Sequence, residues 1–246
     1  AYSYAWMIIF AVIAAIMVLI GLYHIRMLPS NQIPSTTKKT TSEVGRELVA
    51  VIANFFTKKH IFYYICFIIL YRLAEGFIMK IAPLFLRASR EVGGLGLSLK
   101  EIGTLNGVFG SAAFVLGSLL AGIYVSKFGL KRTLFTLCCI FNLPFVAYTF
   151  LAVTQPTNVY LIGTCITMEY FGYGFGFVGL TLFMMQQIAP GKHQMSHYAF
   201  ASGIMNLGVM LPGMVSGYFS DLLGYRNFFI YVLIATIPAF LITYFI

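Results

Sequence analysis

Apolar residues run through this chain in long blocks, and polar residues gather between them. Seven blocks reach the roughly 18 apolar residues that a bilayer-crossing helix requires. They lie at about 4–26, 60–86, 102–126, 132–153, 158–187, 197–219 and 227–246. The pattern predicts an all-α, polytopic membrane helical bundle. One long polar stretch separates the first two blocks. In its first half Pro29, Pro34, Lys38 and Lys39, among Ser and Thr, read as a linker. In its second half Val44, Leu48, Val51, Ile52, Phe55 and Phe56 recur at helical spacing, and Thr40 with Glu43 resembles a capping box. That half is expected to be an amphipathic helix on the membrane surface, with Lys58 and Lys59 at its exit. The organisation read from these patterns is a transmembrane helix at 1–26, a connecting loop with an amphipathic helix at 27–59, and a helical body at 60–246.

Composition strengthens this reading. Hydrophobic residues are 60% of the chain and charged residues 9%, with a mean hydropathy of +0.88. A soluble domain carries about 25% charged residues. The chain opens on Ala1 with no initiator Met and reads as a piece of something longer; Ala5–Leu22 is too long for a signal-peptide core. The net charge of +9 is not gathered on one soluble face, so it does not indicate nucleic acid. The bases sit at helix ends. Arg26, Lys38, Lys39, Arg46, Lys58, Lys59, Lys127, Lys131, Arg132 and Lys192 fall on one side, against Arg87, Arg90, Lys100 and Arg226 on the other. The richer side is expected to be cytoplasmic, with Tyr4 and Trp6 at the outer interface. Cys66, Cys138, Cys139 and Cys165 all lie within apolar runs and read as packing residues.

The acids are scarce, and only Glu75 and Glu169 fall well inside spans. A carboxylate at that depth is costly, so it faces a cavity or a partner. Arg72 stands one helical turn before Glu75. Two readings are open. Arg72 forms a structural ion pair with Glu75 or Glu169, or one glutamate takes up a proton while Arg72 anchors an anionic substrate. Glu169 is the first choice for the proton and Glu75 the alternative. Tyr71, Asn106, Tyr170, Tyr173 and Asn206 are mid-span polar groups, suited to lining a cavity or to bonding helix to helix. Gly172, Gly174, Gly176 and Gly179 follow Glu169 and either let a neighbouring helix approach or let their own helix deform. Gly103-xxx-Gly107, Gly172-xxx-Gly176 and Gly213-xxx-Gly217 read as packing faces. His193 and His197 stand four apart, but no Glu follows His193 and no third ligand is near, so a helix-end pair is expected and no metal. In the loop Arg87–Glu101 a glycine-rich turn, Gly93-Gly94-Leu95-Gly96, precedes a capping box of Ser98 with Glu101; the turn reads as flexible.

An internal echo bears on architecture. Gly122-xxx-Ser126-Lys127-x-Gly129-x-Lys131-Arg132 returns as Gly217-xxx-Asp221-x-x-Gly224-x-Arg226, three spans later and so on the opposite face. Two three-helix units in inverted topology are a plan of secondary transporters. The first copy resembles the loop motif of the major facilitator superfamily, with Ser126 in place of the motif's Asp. Tyr71-Arg72-Leu-Ala-Glu75, Arg90-Glu91-Val-Gly93-Gly94, Glu169-Tyr-Phe-Gly172-Tyr-Gly174 and Gly224-Tyr-Arg-Asn-Phe228 are similar to AmpG-like permeases, especially those of Bacteroidetes.

The resemblance implies that 60–246 is the six-helix C-terminal half of a twelve-helix carrier, preceded by helix six and the central cytoplasmic loop. It implies proton-driven import of anhydromuropeptides across the inner membrane. Its partners would be protons, an anionic sugar-peptide, the lipid bilayer and the N-terminal half of the same protein, with no cofactor. Gly122, Ser126, Lys127, Gly129, Lys131 and Arg132 would form a gating loop, lacking whatever interaction the family makes through the replaced Asp. Carriers of another peptide, a sugar or an organic anion are the alternatives within the superfamily. An intramembrane enzyme or a receptor-like bundle is the alternative outside it. The chain has no Ser–His pair in a nucleophile-elbow context, and its single Asp rules out an aspartyl pair.

Overall fold

The computed structural model describes residues 2–27 and 40–246, so the linker around Pro29, Pro34, Lys38 and Lys39 lies outside the described residues. The described residues form two compact units, Ala1–Arg46 and Glu47–Ile246. The first holds α1 (Tyr2–Met27), whose sequence is apolar all round, as a spanning helix is. It also holds the start of α2 (Thr41–Phe56). There the Glu43 carboxylate accepts the Thr40 backbone N–H at 2.8 Å, one arm of the expected capping box.

The second unit contains the rest of α2 and then α3 (Ile61–Tyr71), α4 (Leu73–Arg87), α5 (Leu99–Thr104), α6 (Ser111–Phe128), α7 (Leu130–Asn142), α8 (Phe145–Thr154), α9 (Val159–Phe183), α10 (Gln194–Ala235) and α11 (Ile237–Tyr244). A π-helical turn, Leu105–Gly110, joins α5 to α6, and another, Met184–Ile188, ends α9. Among the described residues five helical stretches are long and apolar enough to cross a membrane: Tyr4–Met27, Ile61–Arg87, Leu99–Phe128, Leu130–Thr154 and Gln194–Tyr244. The chain is an all-α, multi-pass membrane bundle. The blocks read at 197–219 and 227–246 fall within one stretch, which Gly224 interrupts at φ 70°, ψ 160°. The block at 158–187 is a continuous helix but is absent from this apolar set. Its glycines, threonines, tyrosines and Glu169 dilute its hydropathy, and neighbouring helices shield much of its length while Tyr160, Leu161 and Met168 stay exposed.

The glycines of α9 provide that shielding. A side chain at Gly174 would strike the backbone of Phe114 in α6, and one at Gly117 in α6 would strike Phe171 of α9. On the other flank Gly172, Gly176 and Gly179 lie against Ile140, Phe141 and Leu137 of α7. Helix α9 is therefore clasped between α6 and α7 at backbone distance, as small-residue faces allow. The glycines are packing positions and α9 does not unwind there. Gly213 likewise packs on α4, through Gly76 and Lys80, whereas Gly103, Gly107 and Gly217 meet no neighbour.

Two connections are tied down. The Ser98–Glu101 capping box forms in both directions: Glu101 N–H donates to Ser98 Oγ at 3.2 Å, and Ser98 N–H donates to Glu101 Oε2 at 2.8 Å. Before it, the N–H groups of Leu95, Gly96 and Leu97 donate to the carbonyls of Phe85, Ala88 and Leu86, which α4 leaves free at its C-terminus. Arg90 adds bonds to the carbonyls of Gln155 and Pro156, both at 2.9 Å. The glycine-rich turn expected to be flexible is pinned. At the other end Lys58 Nζ donates to the carbonyls of Ile188 and Pro190, closing the end of α9. Partial burial there holds the Lys58 pKa below the ordinary lysine value.

Helix α2 departs from a pure surface helix. Val51 and Phe55 are buried, with the Phe55 ring 5.7 Å from those of His197 and Phe200. Leu48, Ile52 and Phe56 remain exposed. One edge of the apolar face docks on protein and the other is left for the membrane interface.

Candidate functional site

The break between α3 and α4 falls at Arg72, whose φ of −105° and ψ of 8° leave the helical region. The break turns its side chain onto Glu75 in the next turn. Nε meets Oε2 at 2.6 Å and Nη2 meets Oε1 at 2.5 Å, a two-pronged pair in which both side chains are buried. Such fork-to-fork contacts are the strongest an arginine makes with a carboxylate. Arg72 Nη2 also points at the Tyr173 hydroxyl, 3.5 Å away, and the guanidinium lies 5.5 Å from the Phe177 ring centroid.

Glu169, on α9, is half-buried, and among the described residues no hydrogen bond or ion pair reaches it. Glu75 and Glu169 nevertheless share a cavity of about 110 Å³. Asn106, Tyr148, Tyr170 and Tyr173 complete its polar lining, and Ile78, Met79, Ala82, Pro83 and Leu86 form its apolar wall. Asn106 comes from the π-turn Leu105–Gly110, and its Oδ1 is buried without a hydrogen-bond partner among the described residues. π-turns inside helices recur at functional sites. The cavity therefore holds one clamped carboxylate, one unclamped carboxyl, three phenols and an amide oxygen awaiting a donor.

Of the positions singled out from the sequence, Glu75, Glu169, Asn106, Tyr170 and Tyr173 meet at this cavity, and Arg72 backs it through Glu75. Tyr71 does not line it. Its hydroxyl donates to the Gly176 carbonyl at 2.9 Å in the core, bonding α3 to α9. Asn206 is exposed and lies apart from the cavity. Tyr148 was not legible as a site residue. It sits in an apolar run, with its ring stacked 5.5 Å from Phe229, and only the mid-span position of a phenol hinted at it.

The segment Gly122–Arg132 comprises the end of α6, the single linking residue Gly129 and the start of α7. Gly129 there takes φ 79°, ψ 149°, close to the angles of Gly224 in the echoed turn. No side chain approaches either glycine, so backbone conformation alone selects it. Ser126 bonds back to the Ile123 carbonyl at 2.8 Å, and Lys127 lies over the Phe128 ring. His197 is buried beneath Phe55 with His193 beside it, and no group of three or more metal-ligating side chains occurs among the described residues. The four cysteines carry no disulfide.

No protein-family profile matches the chain. Curated relatives do. The anhydromuropeptide permease of Escherichia coli K12 is 23% identical over 85% of this chain. AmpG transporters of Rickettsia bellii and Rickettsia felis are 25% and 26% identical over 92% and 72% of it. The matched regions are 41%, 53% and 38% of those proteins, so the chain spans about half the length of the relatives it matches or less. Over most of its length, then, this membrane bundle is similar in sequence to the AmpG permeases.

Proposed function

We propose that the chain is the C-terminal half, with the preceding helix, of a major facilitator carrier that imports anhydromuropeptides across the bacterial inner membrane on a proton gradient. The observation that carries this reading is the cavity in which Glu169 has no hydrogen-bond or ion-pair partner among the described residues while Arg72 clamps Glu75. The relatives' names are those of permeases and transporters, which favours transport over an enzyme. The matching backbone at Gly129 and Gly224 supports two three-helix units of inverted topology.

The chemistry follows from the pairing. An ionised carboxylate without a partner is expensive in apolar surroundings, so Glu169 is the group for which holding a proton costs least. A carboxylate of the substrate competes with Glu75 for Arg72. When it captures the guanidinium, Glu75 is left unpaired beside Glu169, and the two acids favour retaining a proton between them. Substrate and proton then move together without covalent chemistry. Drug-sized ligands occupy pockets of roughly 300–1,000 Å³. The cavity of about 110 Å³ is thus the charged end of a larger site whose other walls come from the rest of the protein.

The test is uptake of labelled anhydromuropeptide into inner-membrane vesicles carrying the full-length parent, with and without a protonophore. Concentrative uptake that the protonophore abolishes is expected. Absence of uptake with the protein confirmed in the membrane would reject this substrate.

A further inference from the structure

A second cavity, of about 640 Å³, opens at the other end of the bundle from the pinned Arg87–Glu101 loop. Its polar lining comes from Lys131 and Arg132 in the first turn of α7, Gln186 and Gln187 in the π-turn after α9, and Thr243 and Tyr244 of α11. No acid lines it. Neither Lys131 nor Arg132 makes a hydrogen bond or ion pair among the described residues. Phe128, Phe135 and Tyr244 border it and are themselves exposed, so its apolar wall continues onto the outer surface of the bundle. The first turn of α7 has no side-chain cap. Its dipole adds to the positive field of the two side chains.

We propose that this cavity binds a phosphate group, with Lys131 and Arg132 as the charged contacts and the Gln186 and Gln187 amides as neutral donors. Two free cations with no acid select an anion. Arginine and lysine beside donor amides suit the several oxygens of a phosphate. The apolar wall continuous with the surface accommodates the acyl chains of an anionic phospholipid, and the charge distribution of the loops places this end in the leaflet where such lipids lie. The same contacts would hold a free phosphate. The site is separate from the Glu75–Glu169 cavity, so this proposal does not depend on the identity of the transported substrate.

The experiment is native mass spectrometry of the detergent-purified full-length parent with phosphatidylglycerol or phosphatidylcholine of matched chains. The unaltered protein is expected to retain phosphatidylglycerol in clear preference. The double variant Lys131→Gln/Arg132→Gln should bind it about 25-fold more weakly, taking each basic residue at an anionic surface as worth about fivefold. The charge-matched control Arg87→Gln/Lys100→Gln should bind as the parent does. If the double variant folds poorly, Gln186→Glu, which sets an acid in the cavity, should lower retention by itself. Displacement of the lipid by millimolar inorganic phosphate would assign the site to a free anion, and resistance would assign it to the lipid headgroup. Equal retention of the two lipids, or undiminished binding by both the double variant and Gln186→Glu, would overturn the proposal.

Discussion

Arg72 and Glu169 have opposite surroundings although both are ionisable side chains inside the bundle. Arg72 is buried and held by two short bonds to Glu75, whereas Glu169 has no hydrogen bond or ion pair among the described residues. Removing one member of a buried pair leaves its partner uncompensated, so Arg72→Ala should destabilise the protein by about 3–5 kcal/mol. Replacing both members, as Arg72→Leu/Glu75→Leu, should restore most of that loss, because an apolar pair of similar volume suits the interior. Melting of the two variants in detergent checks the ordering. Glu169→Gln breaks no bond, so its melting temperature should match the parent's while proton-driven uptake is lost. Unchanged uptake in Glu169→Gln would move the proton to Glu75.

At the scale of elements, local signals were readable and azimuthal ones were not. The Ser98–Glu101 capping box was legible because both partners lie within one turn, and it forms as read. The shared turn at Gly129 and Gly224 was legible from spacing. Which face of a helix meets which neighbour depends on partners distant in sequence. Hence Tyr71, read as lining a cavity or bonding helix to helix, takes the second role through Gly176, and Tyr148 reaches the cavity unannounced. The glycine-rich turn after α4 looked flexible because its acceptors, the last carbonyls of that helix, are anonymous backbone. Two expectations follow from these turns. Gly129→Ala and Gly224→Ala should each cost roughly 1–3 kcal/mol, since both glycines occupy backbone angles that a side chain disfavours. A similar loss of melting temperature in the two variants is the readout. Lys58→Met should loosen the end of α9, visible as faster hydrogen exchange at the amides near Ile188, with α4 unaffected.

For the whole molecule, the limit is the fraction of the relatives' length that this chain spans. Its charged cavity is small, and the close contacts of α9 with α6 and α7 are made within this chain. Expressed by itself, the chain should insert and fold yet give no concentrative uptake. Co-expression with the remainder of the parent should restore uptake, measured in the same vesicles. Uptake by this chain alone would contradict the two-half reading.

The pinned loop after α4 has a practical consequence for mapping the protein in cells. A protease or an epitope insertion needs backbone that can leave its neighbours, and residues 95–97 have their amide groups engaged by the helix they follow. Cleavage-based mapping would score this rim as closed, the more so because Leu95 and Leu97 are buried and only Gly96 between them is exposed. A tag inserted at Gly94–Leu97 should unseat the end of α4.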